Sequence, residues 1–456
     1  MTPDGPSVAV LAHGLGGSTD LPVPFGYVLV GAAWVLTFTF ALVALAWRRP
    51  RFDPHKPGHP LPQVITRLVD SRALRATVAA VALLFTVWVV MAGLFGPQNP
   101  NNALPQVFYV LLWVGLVAVS LILGPVWRVL SPARTVYRLA YRVPFVRRAI
   151  YPLGYPHSWG YRPAAVGLFA FVWMELASPD SASMPMIKTW VLLYFCVLFT
   201  GAGVCGDLWL ARADPFDVYS AVVSRLSPFR RDLTTGAIVI GNPLDHLPSL
   251  PVRPGVVAVL SVLFGSTVFD SFSASPDWRN FADRLSRAAD TVPVTVASSV
   301  LRTIGLIVFI TVVAVSFSLA ARATRAVDAD TRRTLPGQMA HSLIPIVVGY
   351  IFAHYLSYLV ERGQQAVFAL GDPLGHGWNL LGLAHLQVNF LLSRHPTVLA
   401  TIKVLCIITG HVVAVIAAHD KALRLLPAGR QLTGQLAMML VMVGYTFTGL
   451  YLIFGG

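Results

Sequence analysis

Ten apolar segments, at 26–47, 74–95, 105–127, 163–177, 187–207, 255–270, 293–320, 340–360, 398–418 and 435–454, divide this chain of 456 residues. Most reach the roughly 20 residues that a helix needs to cross the hydrocarbon of a bilayer. The segments 163–177 and 255–270 are the short ones. In lipid, every backbone N–H and C=O must be satisfied within the protein, so apolar runs of this length become helices. The expected fold is all-α, a polytopic transmembrane helix bundle of about ten spans, with 26–454 as one transmembrane domain. Only 12% of the residues are charged, against roughly 25% in an ordinary soluble domain. That excludes a soluble globular enzyme, a disordered chain and a DNA-binding domain.

The distribution of charge sets the orientation. With the N-terminus outside, the inner loops are 48–73, 128–162, 208–254, 321–339 and 419–434, and they hold 25 of the 34 Lys and Arg residues. The outer segments hold five: Arg279, Arg284, Arg287, Arg362 and Arg394. Basic loops stay on the cytoplasmic side, so the reading is N-out and C-out in a bacterial cytoplasmic membrane. The net charge of +14 is accordingly topological, and nucleic acid is not an expected partner. In 128–162, Arg134, Arg138, Arg142, Arg147 and Arg148 interleave with Tyr137, Tyr141 and Tyr151. Beside a membrane this pattern lies on anionic headgroups. The prolines of 208–254 (Pro215, Pro228, Pro243, Pro248 and Pro251) are expected to break any long helix there.

Residues 1–25 form an external segment. Residues 7–12 read like the end of a signal peptide, with cleavage after Ala12 leaving His13 as a terminal amine and imidazole able to chelate a metal such as copper. The competing reading is an external turn holding His13 and Asp20, shaped by Gly14, Gly16 and Gly17. Cys196, Cys205 and Cys406 have no CxxC spacing and imply no disulfide framework.

Ionisable groups at membrane depth are costly and are site candidates by default. At 1.5 Å of rise per residue, Glu175, Asp270, Arg302, His354, Glu361 and Lys403 all fall in the outer half, from five spans. His354, Tyr358 and Glu361 are spaced i, i+4, i+7 and should line one helix face. The expected site is an outward-opening polar pocket of these residues, capped by His13 and Asp20. The competing account is a structural network in which Arg302 and Lys403 neutralise Glu175 and Glu361. In the outer loop 361–397, Asp372, His376 and His385 are lid or metal candidates, or parts of a Gly/Pro/Asn turn, and apolar 380–392 is expected to lie re-entrant or interfacial over the site.

The inner half holds His411 and His419 on one broad face, roughly 12 Å apart along the axis, too far to share a metal. His411 is either a ligand or a hydrogen-bonded packing residue; His419-Asp420 reads as an interfacial cap. Haem is disfavoured, because His354 and His411 differ by roughly 10 Å in depth.

Four motifs carry a family resemblance: AHGLGGSTDLPVP at 12–24, AHYLSYLVERGQ at 353–364, GDPLGHGWNLLG at 371–382 and GHVVAVIAAHDKAL at 410–423. Together they resemble a family of bacterial, often actinobacterial, polytopic membrane proteins labelled fenitrothion hydrolase, over most of the chain. The resemblance implies cleavage of an organophosphate P–O–aryl bond in an apolar small molecule reaching the site from lipid. The catalytic candidates would be His354 with Glu361 or His13 as metal ligands or base, and Arg302 or Lys403 as electrophile. Glu175, Asp270, Tyr358, Asp372 and His376 would hold substrate, and His13, His354 and His411 would be ligands for a divalent transition metal. The sequence has no HxH pair, no HExxH and no GxSxG elbow. The alternatives are a proton-coupled solute or metal-ion transporter, copper being one candidate cargo, and an accessory subunit of a membrane complex docking through its basic loops.

Overall fold

Nine helices long and apolar enough to cross a membrane are present among the described residues of the computed structural model, which are 17–149, 152–181, 183–288, 292–324, 327–427, 429–431 and 433–455. In chain order with one further helix they are α1 (Phe25–Ala46), α2 (Arg72–Phe95), α3 (Ala103–Leu123), α4 (Arg162–Leu176), α5 (Met184–Cys205), α6 (Val256–Ser273), α7 (Val294–Arg322), α8 (Ala329–Gly371), α9 (Pro396–Leu425) and α10 (Leu436–Phe454). The fold is an all-α helical bundle.

The tenth helix, α4, has 15 residues, a length of roughly 22 Å. It still covers the height of its neighbour. At one end the Tyr161 N–H donates to the Pro254 carbonyl (2.6 Å), just before α6. At the other, Ser299 Oγ, near the start of α7, donates to the Ala177 carbonyl (2.6 Å). The rings of Phe25 and Tyr451 lie 6.4 Å apart, so the first helix begins at the level where the last one ends. Both ends of the bundle therefore share a face, as an even number of crossings requires.

Outward-turned apolar side chains mark the lipid-facing surface: Trp34, Phe38 and Leu45 on α1, Leu84 on α2, Leu192 on α5 and Val312 on α7 are all exposed. The innermost helices are α6 and the middle of α8, where Ile344, Ile346, Tyr350 and Ile351 are buried. Helices α8 and α9 cross so tightly that a Cβ on Gly349 would strike the Cys406 carbonyl, while one on Gly410 would lie 3.4 Å from the Gly349 Cα. Small residues permit such close approach where lipid supplies no hydrophobic drive.

Loop 208–254 carries only short helices among its described residues. It contains the helices Asp207–Arg212, Pro215–Val223 and Pro243–His246. Pro215 and Pro243 each open one of these helices. The Asp214 and Asn242 side chains cap the first turns, with Pro215 and Pro243 directly following, where a missing N–H costs nothing. Pro215–Val223 is buried except at Ala221 and packs against α3 and α4. Strands β1 (His59–Pro60), β2 (Phe229–Arg231) and β3 (Ile238–Ile240) form an antiparallel sheet in the order β1-β3-β2. It joins loop 48–73 to loop 208–254, so these inner loops form one folded cap.

Candidate functional site

The polar core of the outer half forms where α6 meets α8. Asp270 and Ser271 lie in the last turn of α6; Tyr350, His354 and Tyr355 occupy one side of α8, spaced i, i+4, i+5. All five are buried. His354 Nε2 lies 2.9 Å from Asp270 Oδ2, and the Tyr355 hydroxyl donates to the same oxygen (2.7 Å). His354 Nδ1 lies 3.1 Å from Ser271 Oγ, which also accepts from the Tyr350 hydroxyl (3.2 Å) and faces the Thr267 carbonyl (3.2 Å). The imidazole is thus held at both nitrogens between a hydroxyl and a carboxylate.

The single proton of Ser271 couples the two sides of this ring. When Ser271 donates to His354 Nδ1, the imidazole is neutral and gives its Nε2–H to Asp270. When Ser271 donates to Thr267, Nδ1 keeps its hydrogen bond to the hydroxyl oxygen only by itself carrying a hydrogen. The rotation of the Ser271 hydroxyl therefore sets which hydrogen-bonding role falls to His354 Nδ1. Glu175, half-buried on α4, adds a second carboxylate: it interacts electrostatically with Asp270, Tyr109 and Tyr358. The Tyr109 hydroxyl donates to the Ser181 carbonyl (2.7 Å).

Two stretches beside this core are wound as π-helix, Val107–Gly115 in α3 and Tyr358–Arg362 in α8, and they pack against each other. Single π turns are frequent at functional sites. The wider turn explains why the expected His354–Tyr358–Glu361 stripe does not serve one pocket. His354 addresses α6, whereas Glu361 accepts from the Ser393 N–H (2.8 Å) and Oγ (2.7 Å) in the outer loop.

Other expected members separate from this core. Arg302 is exposed on α7, between the exposed Val300 and Ile304, and does not line the pocket. Eight residues into α7, its long side chain can carry the charge back toward the headgroups. Lys403 is buried on α9 and interacts with Asp20, at the entrance to α1. Asp20 therefore caps Lys403, while His13 lies outside the described residues. Asp372 accepts from the N–H groups of His376 (3.0 Å) and Gly377 (2.9 Å), so it closes a turn, and the His376 ring is exposed beside Trp378. His385 is exposed. The apolar stretch 380–392 is irregular, without helix or strand. It is tied down by reciprocal hydrogen bonds between Gln364 and Asn389 (3.0 and 2.9 Å).

No group of three His, Cys, Asp or Glu residues able to hold a metal ion exists among the described residues. Both His354 nitrogens are engaged, and His411 is remote from it: His411 Nδ1 bonds the Ile407 carbonyl of its own helix (2.8 Å), leaving Nε2 buried without a described partner. His419 and Asp420 form an inner latch. His419 bridges Gln435 and the Trp47 carbonyl (3.0 Å each), and Asp420 accepts from the Arg51 and Phe52 N–H groups.

No family model, curated protein or solved structure matches the chain. The chemistry therefore has to be read from the geometry. Sequence reasoning missed Ser271, Tyr350, Tyr355 and Tyr109. The signal available was the Asp270-Ser271 pair at the end of a helix opposite a Tyr-x-x-x-His-Tyr stripe.

Proposed function

We propose that this chain is a proton-coupled membrane permease whose proton-loading element is Ser271–His354–Asp270, with Glu175 as the second titrating carboxylate. The observation that carries this reading is the buried imidazole held between a hydroxyl at Nδ1 and a carboxylate at Nε2. Chains of Asp, Glu and His at membrane depth are the usual parts of proton relays. A route toward the inner face has further support in α8 and α9. Gly410 abuts Pro345, which puts His411 roughly 13 Å below His354, with its Nε2 buried and without a described hydrogen-bond partner. His341 lies farther in, its Nδ1 on the Gln338 carbonyl (3.1 Å). We take the membrane to be a bacterial cytoplasmic membrane, with the basic loops inside.

A second reading is favoured by the same contacts: Ser271, His354 and Asp270 follow the order of a nucleophile, base and orienting acid. They would serve the organophosphate hydrolase that the family resemblance implies. Against it stand the full burial of Ser271 and the exposure of Arg302, the expected electrophile.

One preparation tests both readings. Proteoliposomes holding a pH-sensitive dye are challenged with divalent metal ions, cuprous ion, amino acids and sugars. At least one addition should change the lumenal pH with wild type and not with Asp270→Asn. No pH change with any of them, together with phenol release from an aryl phosphotriester that Ser271→Ala abolishes, would replace the permease by the hydrolase.

A further inference from the structure

The inner face carries a second site that neither reading uses. A cavity of about 270 Å³ lies between loops 128–162 and 208–254, lined by Arg128, Arg134, Arg212, Arg225, Arg253 and Tyr161 among others. The five arginines come from separate pieces of chain: the turns after α3, the helices Pro132–Ala140 and Asp207–Arg212, the turn Ser224–Leu226, and the approach to α6.

Most of their contacts leave the charge unmatched. Arg225 donates to Ser249 Oγ (2.6 Å) and meets His246 Nε2 (3.2 Å), both neutral groups. Arg253 donates to the Tyr161 hydroxyl (3.1 Å) and lies over its ring, and Arg212 lies over the Tyr155 ring. Arg134 lies 3.3 Å from the Asp217 carboxylate, feels Asp214 electrostatically, and donates a hydrogen bond to the Leu210 carbonyl. Asp217 also feels the charge of Arg128. The nearby Asp214 is already committed to Trp127 Nε1, the Tyr194 hydroxyl and the Phe216 N–H. The Nε atoms of Arg134 and Arg225 are buried without a described hydrogen-bond partner. Burial, and then the like charges of Arg128 and Arg253, hold the Arg225 guanidinium below its ordinary value.

We infer that this cavity is a binding site for a phosphoryl oxyanion. Guanidinium forks match phosphate oxygens two at a time, and several converging on one point is how phosphate is held against water. The volume is that of roughly nine waters, enough for a phosphoryl group and its first attachments. One wall is apolar, from Val218, Val222 and Leu250; Leu208 lines the cavity and is itself 47% exposed. An anion with an apolar continuation can therefore enter from the side. The phosphoryl group can come from an anionic phospholipid of the inner leaflet or from a soluble phosphate compound.

The test is thermal unfolding of the full-length protein in a neutral detergent, with added inorganic phosphate, short-chain phosphatidylglycerol or short-chain phosphatidylcholine, all at matched ionic strength. Phosphatidylglycerol or phosphate should raise Tm by several degrees over phosphatidylcholine and chloride. Stabilisation by phosphatidylglycerol alone assigns the lipid headgroup; stabilisation by phosphate as well assigns a soluble source. The shift should vanish in Arg225→Gln and in Arg128→Gln, which makes no direct hydrogen bond to lose. It should persist in Arg138→Gln/Arg142→Gln, whose side chains are exposed outside the cavity. No stabilisation of wild type, or equal loss in the exposed double variant, overturns the inference.

Discussion

In the outer half, the Asp270 carboxylate, the His354 ring and the Ser271 hydroxyl each meet a side-chain partner within 3.1 Å. In the inner cavity five arginines and no described carboxylate are among the lining residues, and two of the arginines' buried Nε atoms have no described partner. The outer network holds protons and can exchange states without taking in anything larger. The inner cavity has donors in excess and room beside them, which is the signature of a site awaiting an anion. Satisfied polar groups rigidify a core, whereas surplus ones are costly until something fills them.

The largest effect is expected at Asp270. Truncation by Asp270→Ala leaves the His354 and Tyr355 donors buried with their shared acceptor gone. Loss of one partner from a buried polar or ionic pair costs about 3–5 kcal/mol. Thermal unfolding in detergent should show a fall in Tm of that order. Asp270→Asn keeps an acceptor oxygen and should recover most of the stability, without recovering proton exchange. Equal stability of wild type and Asp270→Ala would break the idea of a closed network.

On the inner side the matching change is Asp217→Asn. It removes the carboxylate that pairs with Arg134, whose side chain is 7% exposed. Burial pushes the Asp217 pKa up to about 7, so we expect a loss of about 1–3 kcal/mol, and a steeper rescue by added phosphate than in wild type. A variant as stable as wild type, with unchanged response to phosphate, would make the inner cavity as self-sufficient as the outer network.

These two regions differed in how far the sequence revealed them. Lone ionisable residues inside apolar runs stand out, so Asp270, His354 and Glu175 were found at once. Arg302 and Lys403 stood out equally, yet one faces outward and the other answers Asp20, because depth along a helix says nothing of which way the side chain turns. The π-helical turn at Tyr358–Arg362 shifted the phase that a period of 3.6 assumes. The inner arginines carry no such signal, because they share the charge bias that orients the whole chain. In a chain with 25 basic residues on one side, five lining a cavity look no different from the rest. The buried helix Pro215–Val223 was hidden by its proline, since Asp-Pro reads as a breaker until the Asp214 cap is seen.

A third, smaller effect concerns pH on the inner side. His246 accepts from Arg225, which requires an unprotonated Nε2; burial, then the charges of Arg225 and Arg230, push its pKa down to about 3 from an ordinary value of 6.5. The unfolded chain therefore binds this proton more readily than the folded one. The contribution is present in full above pH ~6.5 and is lost progressively as pH falls toward about 3. Replacement by a neutral acceptor, His246→Gln, should flatten that part of the stability profile. An unchanged acid limb in the variant would remove His246 from the account of the inner cap.

The smallest effect is predicted at Arg302, the charge that sequence reasoning had placed in the outer pocket. Its exposed side chain makes no ion pair with a described residue, and surface charges of this kind contribute at most about 0.5 kcal/mol. Arg302→Gln should therefore leave Tm, proton exchange and any phosphotriester cleavage within error of wild type. Arg302→Leu, which matches the apolar surface beside Val300 and Ile304, should be equally mild. A large loss of activity with unchanged stability in Arg302→Gln would return this arginine to the chemistry. The pocket would then have to extend between α7 and whatever packs against its outer surface, and the division between a closed outer network and an open inner cavity would fail.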